Sequence, residues 1–302
     1  MNYDIIGDVH GHADALEILL QKLGYKLYSG ICQPPKDRKA VFLGDFIDRG
    51  PKIRETLHIV KNMCDKEYGY AIMGNHEFNA VCFHTPDTDK GEFYRKHGFK
   101  EIKQHYYTLE QFSKFPEEWE MFLDWFKELP LYLEFENFRV VHACWDDKHI
   151  KWLDDHNYQI ITTEFLSRAT TENTEEYHLI EDTLKGIEVK LPEGVSFNDK
   201  EGNYRDKCRL KWWQPENMRD KNKDALLLCP TEIEDQPFNR NEYSYDSDKP
   251  VFFGHYWFEG NPQIDEGQKC ICLDYSVARG GKLVTFKSEY LKSNNPVKGI
   301  VF

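Results

Sequence analysis

A chain of 302 residues, 40% hydrophobic and 15% aromatic, is long enough to bury a substantial core and too apolar for wholesale disorder. Its formal net charge of −13 repels long polyanions, so no general nucleic-acid binding is expected, while small phosphorylated partners remain compatible. No run approaches the roughly 18 apolar residues of a membrane span, and Met1 to Gly11 enters a strand directly, so a cytoplasmic location with no membrane partner is expected.

Asp4 to Gly7 reads as a short apolar strand, after which Leu16, Leu19, Leu20 and Leu23 recur at helical spacing until Gly24 supplies a stop. Lys39 to Leu43 is the next strand, followed by a helix carrying Ile53, Leu57, Val60 and Cys64 on one side. A third strand, Tyr70 to Met73, leads into a short helix from about Glu77. This alternation predicts an α/β fold with a largely parallel sheet covered by helices. Phe112 to Leu131 is aromatic-rich and predicted helical, closed by Pro130, and Phe138 to Val141 forms a strand ending at His142.

The pattern then weakens. Residues 145–248 are of mixed polarity, with an acidic stretch at Thr170 to Glu176 and turn signals at Pro192, Gly194, Gly202 and Pro215. This stretch reads as an insertion or cap within a single domain, 1–302, because the series of candidate ligands resumes only after it. The Tyr204 to Lys223 run is the exception to the acidic balance. There Arg205, Lys207, Arg209, Lys211, Arg219, Lys221 and Lys223 surround Trp212 and Trp213, and a solvated surface is one reading of it. Strands return at Val251 to Phe253, Lys269 to Leu273 and Lys282 to Phe286, with Gly280-Gly281 as a hairpin turn. The eight cysteines are scattered and read as reduced core residues; Cys270 and Cys272 alternate with their neighbours and so share one strand face.

Chemistry concentrates where strands end, the position at which open α/β sheets place their ligands. Asp8 and His10, two apart on a segment leaving a strand, can grip one ion, and Asp45 can bridge to a second. Asn75, His142 and His255, each at a further strand end, would complete the second ion's shell. Oxygen, amide and imidazole donors suit two divalent ions, Mn2+ foremost, with Fe, Zn or Mg also compatible. Such a pair supplies a bridging hydroxide for in-line attack on phosphorus. His76 is then placed to protonate the leaving oxygen, Asp48 to fix its tautomer, and Arg49 to fork two phosphate oxygens. His58, His84, His97, His105, His149, His156 and His178 lack ligand spacing and read as surface or packing residues.

The strings GDVHG at Gly7, GDFIDRG at Gly44 and GNHE at Gly74, followed by single histidines in VVHA and FFGH, resemble the calcineurin-like metallophosphoesterase superfamily. The likeness is greatest to its phosphoprotein-phosphatase branch and bacterial relatives, which include protein phosphatases and dinucleoside-tetraphosphate hydrolases. The resemblance implies a β-sandwich flanked by helices. It implies one metal on Asp8, His10 and Asp45, and another on Asp45, Asn75, His142 and His255. It likewise implies His76 as general acid, Asp48 as its orienting partner and Arg49 as a phosphate ligand. A second phosphate-binding arginine is implied from the intervening region, with Arg209 the first candidate and Arg205 the second.

Trp257 stands where many phosphodiesterase members carry a second histidine, and this favours a monoesterase-like branch. The presence of Asp48 leans toward the protein-phosphatase-like or a nucleotide-hydrolysing subgroup. The leading expectation is a dinuclear-metal phosphomonoesterase, with phosphoserine or phosphothreonine in proteins among its substrates. The alternative is hydrolysis of a dinucleoside polyphosphate of the diadenosine-tetraphosphate type. A non-catalytic scaffold stands third, since such a protein should have lost ligands that this chain retains. Trp212 and Trp213 either stack on a nucleobase or pack in the core.

Overall fold

Ile5 and Ile6 leave the first strand on opposite faces, because successive side chains of a strand alternate, and each enters a different core. That strand is β1 (Asn2–Ile6) of the computed structural model, which describes residues 1–158, 160–198, 202, 204–238, 243–293 and 295–302. It pairs in parallel with β2 (Arg38–Phe42), and β2 with β3 (Gly69–Ala71). A second sheet starts with the antiparallel pair β4 (Tyr132–Glu134) and β5 (Arg139–Val141) and continues in parallel through β6 (Val251–Phe253) and β7 (Cys270–Cys272). The chain then returns to the first sheet through the antiparallel strands β8 (Thr285–Lys287) and β9 (Ile300–Val301). The orders are β9-β8-β1-β2-β3 and β7-β6-β5-β4.

The single parallel sheet expected from strand and helix alternation is therefore two mixed sheets, in the layered arrangement that the resemblance implies. Ile5, Val41, Leu43 and Ile72 from one sheet pack with Phe138, Val140, Phe252 and Ile271 from the other. Each fully buried apolar side chain of this kind contributes roughly 1.5–3 kcal/mol relative to exposure. Ile6, Ala40 and Phe42 face instead the helices α1 (Ala13–Lys22) and α2 (Ile53–Asp65), which offer Leu16, Leu20, Leu57 and Val60. α3 (Asn75–His84) begins two residues earlier than expected, which puts Asn75 and His76 in its first turn.

The helix expected over Phe112 to Leu131 is α5 (Pro116–Glu128), and a further helix, α4 (Phe99–Phe112), ends where the expected one begins. Pro116 cannot sit in a helix interior, and it excludes the helical region for Phe115, whose φ of −135° and ψ of 55° mark the break. The apolar residues of α5, Trp119, Phe122 and Phe126, join the helical core. The strand expected over Lys282 to Phe286 is likewise interrupted at Val284, and Gly280-Gly281 closes a 3-10 turn at Val277–Arg279 rather than forming a two-residue hairpin loop.

Within residues 145–248, positions 159, 199–201, 203 and 239–242 lie outside the described residues. The first part is helical: α6 (Asp147–Asp155), α7 (Thr163–Ala169) and α8 (Glu175–Lys185). Asp146, Thr162 and Thr174 each cap a helix by accepting a backbone N–H. Phe165, Leu166, Leu179 and Ile180 extend the helical core. The second part contains short antiparallel strands, Glu188–Lys190, Lys207–Leu210 and Leu226–Leu227. Its Cys208, Leu210 and Leu226 cover the outer face of the second sheet, where Cys270 and Cys272 point together as their spacing predicts.

Candidate metal centre

The parallel strands of both sheets end on one side, and the loops that follow them converge there. The loops after β1, β2 and β3 bring Asp8, His10, Asp45, Asn75 and His76; those after β5 and β6 bring His142 and His255. All seven are buried. His10 Nε2 lies 3.5 Å from Asp45 Oδ2, and His142 Nε2 lies 3.4 Å from Asp45 Oδ1, so Asp45 presents one carboxylate oxygen to each side. Asn75 Oδ1 is 3.1 Å from His142 Nε2 and 2.7 Å from His255 Nδ1. Two trios, His10 with Asp45 and His76, and Asp45 with His142 and His255, bring ligand-type atoms within 4.8 Å of one another. Asp8 is in neither trio, yet its Oδ2 accepts from the His255 backbone N–H at 3.0 Å, which points it at the same space.

Backbone close approach makes this convergence possible. A Cβ on Gly254 would fall 1.9 Å from Asp8 Oδ1, and one on Gly74 would fall 2.2 Å from Asp45 Oδ1. The buried Glu77 ties the loop after β2 to the start of α3: its carboxylate accepts from the N–H groups of Asp45, Phe46 and Gly74 at 2.8, 2.8 and 3.0 Å. His142 Nδ1 meets the Leu43 carbonyl at 2.7 Å, which joins the two sheets beside the site. His10, Asp45, Asp48, Arg49, His255, Trp257 and Ser276 all have φ between 45° and 71°. A non-glycine residue in that region carries of order 1–3 kcal/mol of strain, and such residues gather where function demands a particular geometry.

The residues present fit divalent cations. Asp8 Oδ1, His10 Nε2 and His255 Nε2 are buried and have no hydrogen-bond partner, whereas buried polar atoms in folded proteins are nearly always paired. Burial pushes the His10 imidazole down to about 3, and burial together with the nearby Arg209 and His142 holds His255 well below its usual range. Both rings are thus neutral, the form in which imidazole binds metal.

Beside this cluster, Asp48 is fully enclosed by donors. Its Oδ2 is 2.5 Å from His76 Nδ1; its Oδ1 is 2.8 Å from His105 Nδ1 and accepts from Thr108 Oγ1 at 2.6 Å. Burial alone would raise the Asp48 carboxyl, but His105 and His76 hold it far below the usual carboxylate range. For His76 the balance is reversed: burial would lower it, and Asp45 and Asp48 outweigh that and raise it. His76 Nε2, 3.9 Å from Asp45 Oδ2, faces the metal-type ligands while Nδ1 is engaged by Asp48.

A cleft of about 440 Å³ opens over the cluster, and its lining includes Arg49, Arg95, Lys185, Arg205, Arg209 and Arg279 together with Glu101 and Glu259. Arg209 reaches it by strand alternation, because Cys208 and Leu210 on either side turn into the core. The neighbouring tryptophans do not line the cleft. Trp212 is buried and donates Nε1–H to the Ala143 carbonyl at 2.9 Å, and Trp213 packs against Phe253 and Tyr256. The nucleobase alternative for this pair therefore gives way to packing.

The family model for calcineurin-like phosphoesterases matches residues 1–256. The chain belongs to that family. As a calcineurin-like phosphoesterase it is a hydrolase, and its family implies divalent metal ions. Curated relatives include a bis(5'-nucleosyl)-tetraphosphatase PrpE, asymmetrical, of Oceanobacillus iheyensis, 34% identical over 143 residues, which are 47% of this chain and 55% of that protein. Another of the same name, from Bacillus subtilis, is 42% identical over 76 residues, 25% of this chain and 31% of its own length. The matched regions thus span about half or less of these relatives. Among solved structures, a cold-active protein tyrosine phosphatase aligns over 95% of this chain and 73% of its own at 16% identity and a TM-score of 0.48.

Around the phosphoesterase motifs, sequence reading missed residues that brace the candidate site from behind. His105, expected at the surface or in packing, is buried against Asp48, and Thr108 lies one turn along the same helix. Glu77 carried a signal in hindsight, three residues after Gly74 in GNHE, the spacing of a helix capping box. His105→Ala, leaving Asp48 short of one donor, is expected to lower kcat by about 10- to 100-fold with little change in KM, the usual cost of losing an orienting partner. Steady-state kinetics would check this, and a change in KM alone would count against it. Among the described residues, no helix is long and apolar enough to cross a membrane.

Proposed function

We propose that this phosphoesterase hydrolyses a phosphoanhydride bond in a dinucleoside polyphosphate, with two divalent ions at the centre described above. The observation that carries this reading is the gathering of Arg49, Arg205, Arg209 and Arg279 around one cleft in a chain of net charge −13. A single phosphoryl group needs few cations, whereas a polyphosphate chain presents several anionic groups in a row, each a partner for a planar guanidinium. The name borne by the PrpE relatives supports the same reading.

Asp8, His10 and Asp45 would hold one ion; Asp45, Asn75, His142 and His255 would hold the other. When bound, such ions supply Lewis-acid charge and a water acidified to near-neutral pKa. The chain's own groups do the rest. Arg49 and Arg209 bind and orient phosphate oxygens. His76 carries a proton on Nε2 that it can deliver to the departing oxygen, and Asp48 keeps the Nδ1 proton in place so that the ring faces the right way. The buried Thr108 and His105 stop Asp48 from turning away.

One observation favours a phosphomonoester instead, including a phosphoserine or phosphothreonine side chain: the Asp48–His76 pair. Proton delivery matters most when the leaving oxygen is a basic alkoxide, and least when it is already a stabilised phosphate. The test is kcat/KM with Mn2+ for diadenosine tetraphosphate, p-nitrophenyl phosphate and a phosphoserine peptide. The nucleotide is expected to lead by about 100-fold or more, some 2.7 kcal/mol of differential transition-state binding. Parity, or a preference for the peptide, would return the monoester reading to first place.

A further inference from the structure

Two arginines from separate loops lie against one indole. The guanidinium carbons of Arg49 and Arg279 are each 4.2 Å from the centroid of the Trp257 ring. All three side chains line the cleft, and the Trp257 ring also stands 5.7 Å from that of His10, which places it against the metal-type ligands.

The loops carrying Trp257 and Arg279 are fastened to each other. Asp274, buried, accepts from the Trp257 N–H through Oδ2 at 2.7 Å and from the Ser276 N–H through Oδ1 at 2.9 Å. The Phe258 N–H donates to the Asp274 carbonyl at 3.0 Å, and Ser276 Oγ donates to the Phe258 carbonyl at 3.0 Å. Trp257 and Ser276 both hold left-handed backbone, with φ of 55° and 60°. Gly281 closes the second loop, where a Cβ would meet the Tyr275 carbonyl oxygen at 2.1 Å. One carboxylate and two strained residues thus fix an indole face at the mouth of the cleft. Stacking on the indole restricts a guanidinium's motion and leaves its planar donor geometry intact.

We propose that Arg279, positioned by Trp257, binds a second phosphate group of the substrate, next to the one that Arg49 holds. Arg279 makes the contact, and Trp257 acts through the two arginines by setting their separation and direction. A monoester would leave Arg279 with no phosphate to meet; a polyphosphate chain would place one there. The inference rests on the polyphosphate reading of the site, yet it is tested by binding alone, so that a failure of one can be told from a failure of the other.

Calorimetric titration of the Mn2+-loaded protein, with Mn2+ in excess, would compare inorganic tripolyphosphate with orthophosphate. The unaltered protein is expected to bind tripolyphosphate at least ~10-fold more tightly. Arg279→Ala should weaken tripolyphosphate by about 10-fold and orthophosphate by less than about 3-fold, with Arg279→Lys in between because it keeps charge and loses the planar stack. Trp257→Ala, which frees both arginines, should weaken both anions and tripolyphosphate the more, and Trp257→Phe, which retains an aromatic face, should recover most of the loss. Arg279 is exposed, so its variants test the idea even where a Trp257 variant unfolds. Equal weakening of both anions, or of neither, would overturn the proposal. Selective weakening in a protein that does not cleave diadenosine tetraphosphate would uphold the subsite and reject the substrate.

Discussion

Asp45→Ala is expected to lower kcat/KM for every phosphorylated substrate by about 1,000-fold or more, the rate equivalent of roughly 4 kcal/mol of metal-derived stabilisation. The expectation follows from its central place: one carboxylate oxygen approaches His10 and the other approaches His142, and Oδ1 also accepts from the His76 N–H at 3.0 Å. Removing it withdraws negative charge from both halves of the cluster and frees the first turn of α3. Metal content by elemental analysis should fall together with activity. A variant that kept two ions per chain, or kept its rate, would show that Asp45 does not join the two halves. The same logic predicts that chelation lowers thermal stability in the unaltered protein far more than in the variant, because ligand bound only by the folded state stabilises it by mass action.

His76→Asn is expected to show, through a dependence on leaving group, the proton donation proposed for this residue. On phenyl phosphate, whose departing oxygen is basic, kcat should drop by about 100- to 10,000-fold, the range for losing a general acid. On p-nitrophenyl phosphate, whose oxygen leaves readily without a proton, the loss should be several-fold smaller. The Asp48 contact makes this specific to His76, since Nδ1 is committed at 2.5 Å and only Nε2 faces the ligands. Equal losses on the two esters would mean that His76 shapes the site and transfers no proton in the slow step.

The residues that face the cleft's floor were legible because each follows a short apolar strand, and a ligand-type residue at a strand end has a physical reason to be there. What stands behind them was not. His105 lies on α4, a helix whose exposed Phe99, Tyr106 and Tyr107 blur its periodicity, and nothing local in its sequence points to Asp48, 57 residues earlier. Trp257 was noticed only as the absence of a histidine, and Arg279 not at all, since its place beside the cleft depends on a loop tied down by Asp274. The paired Trp212 and Trp213 were ambiguous for the opposite reason: a basic neighbourhood left stacking on a nucleobase open beside packing, and the indole N–H of Trp212 serves a backbone carbonyl in the core. The second part of the region 145–248 resisted reading because its strands, among the described residues, run two to four residues, too short for alternation to separate them from loop.

The seven left-handed residues around the centre, from His10 to Ser276, have a consequence for anyone seeking a hardier version of this protein. Exchange for glycine would relieve local backbone tension, and where that relief exceeds what the lost side-chain contacts contributed, a screen scored on heat resistance alone would reward it. At six of those seven positions the side chain discarded would be a candidate metal ligand, the partner of the proposed proton donor, the arginine proposed to bind phosphate or the indole on which it stacks. Such a screen would enrich robust, inert proteins, so selection for heat tolerance here should always be coupled to a readout of turnover.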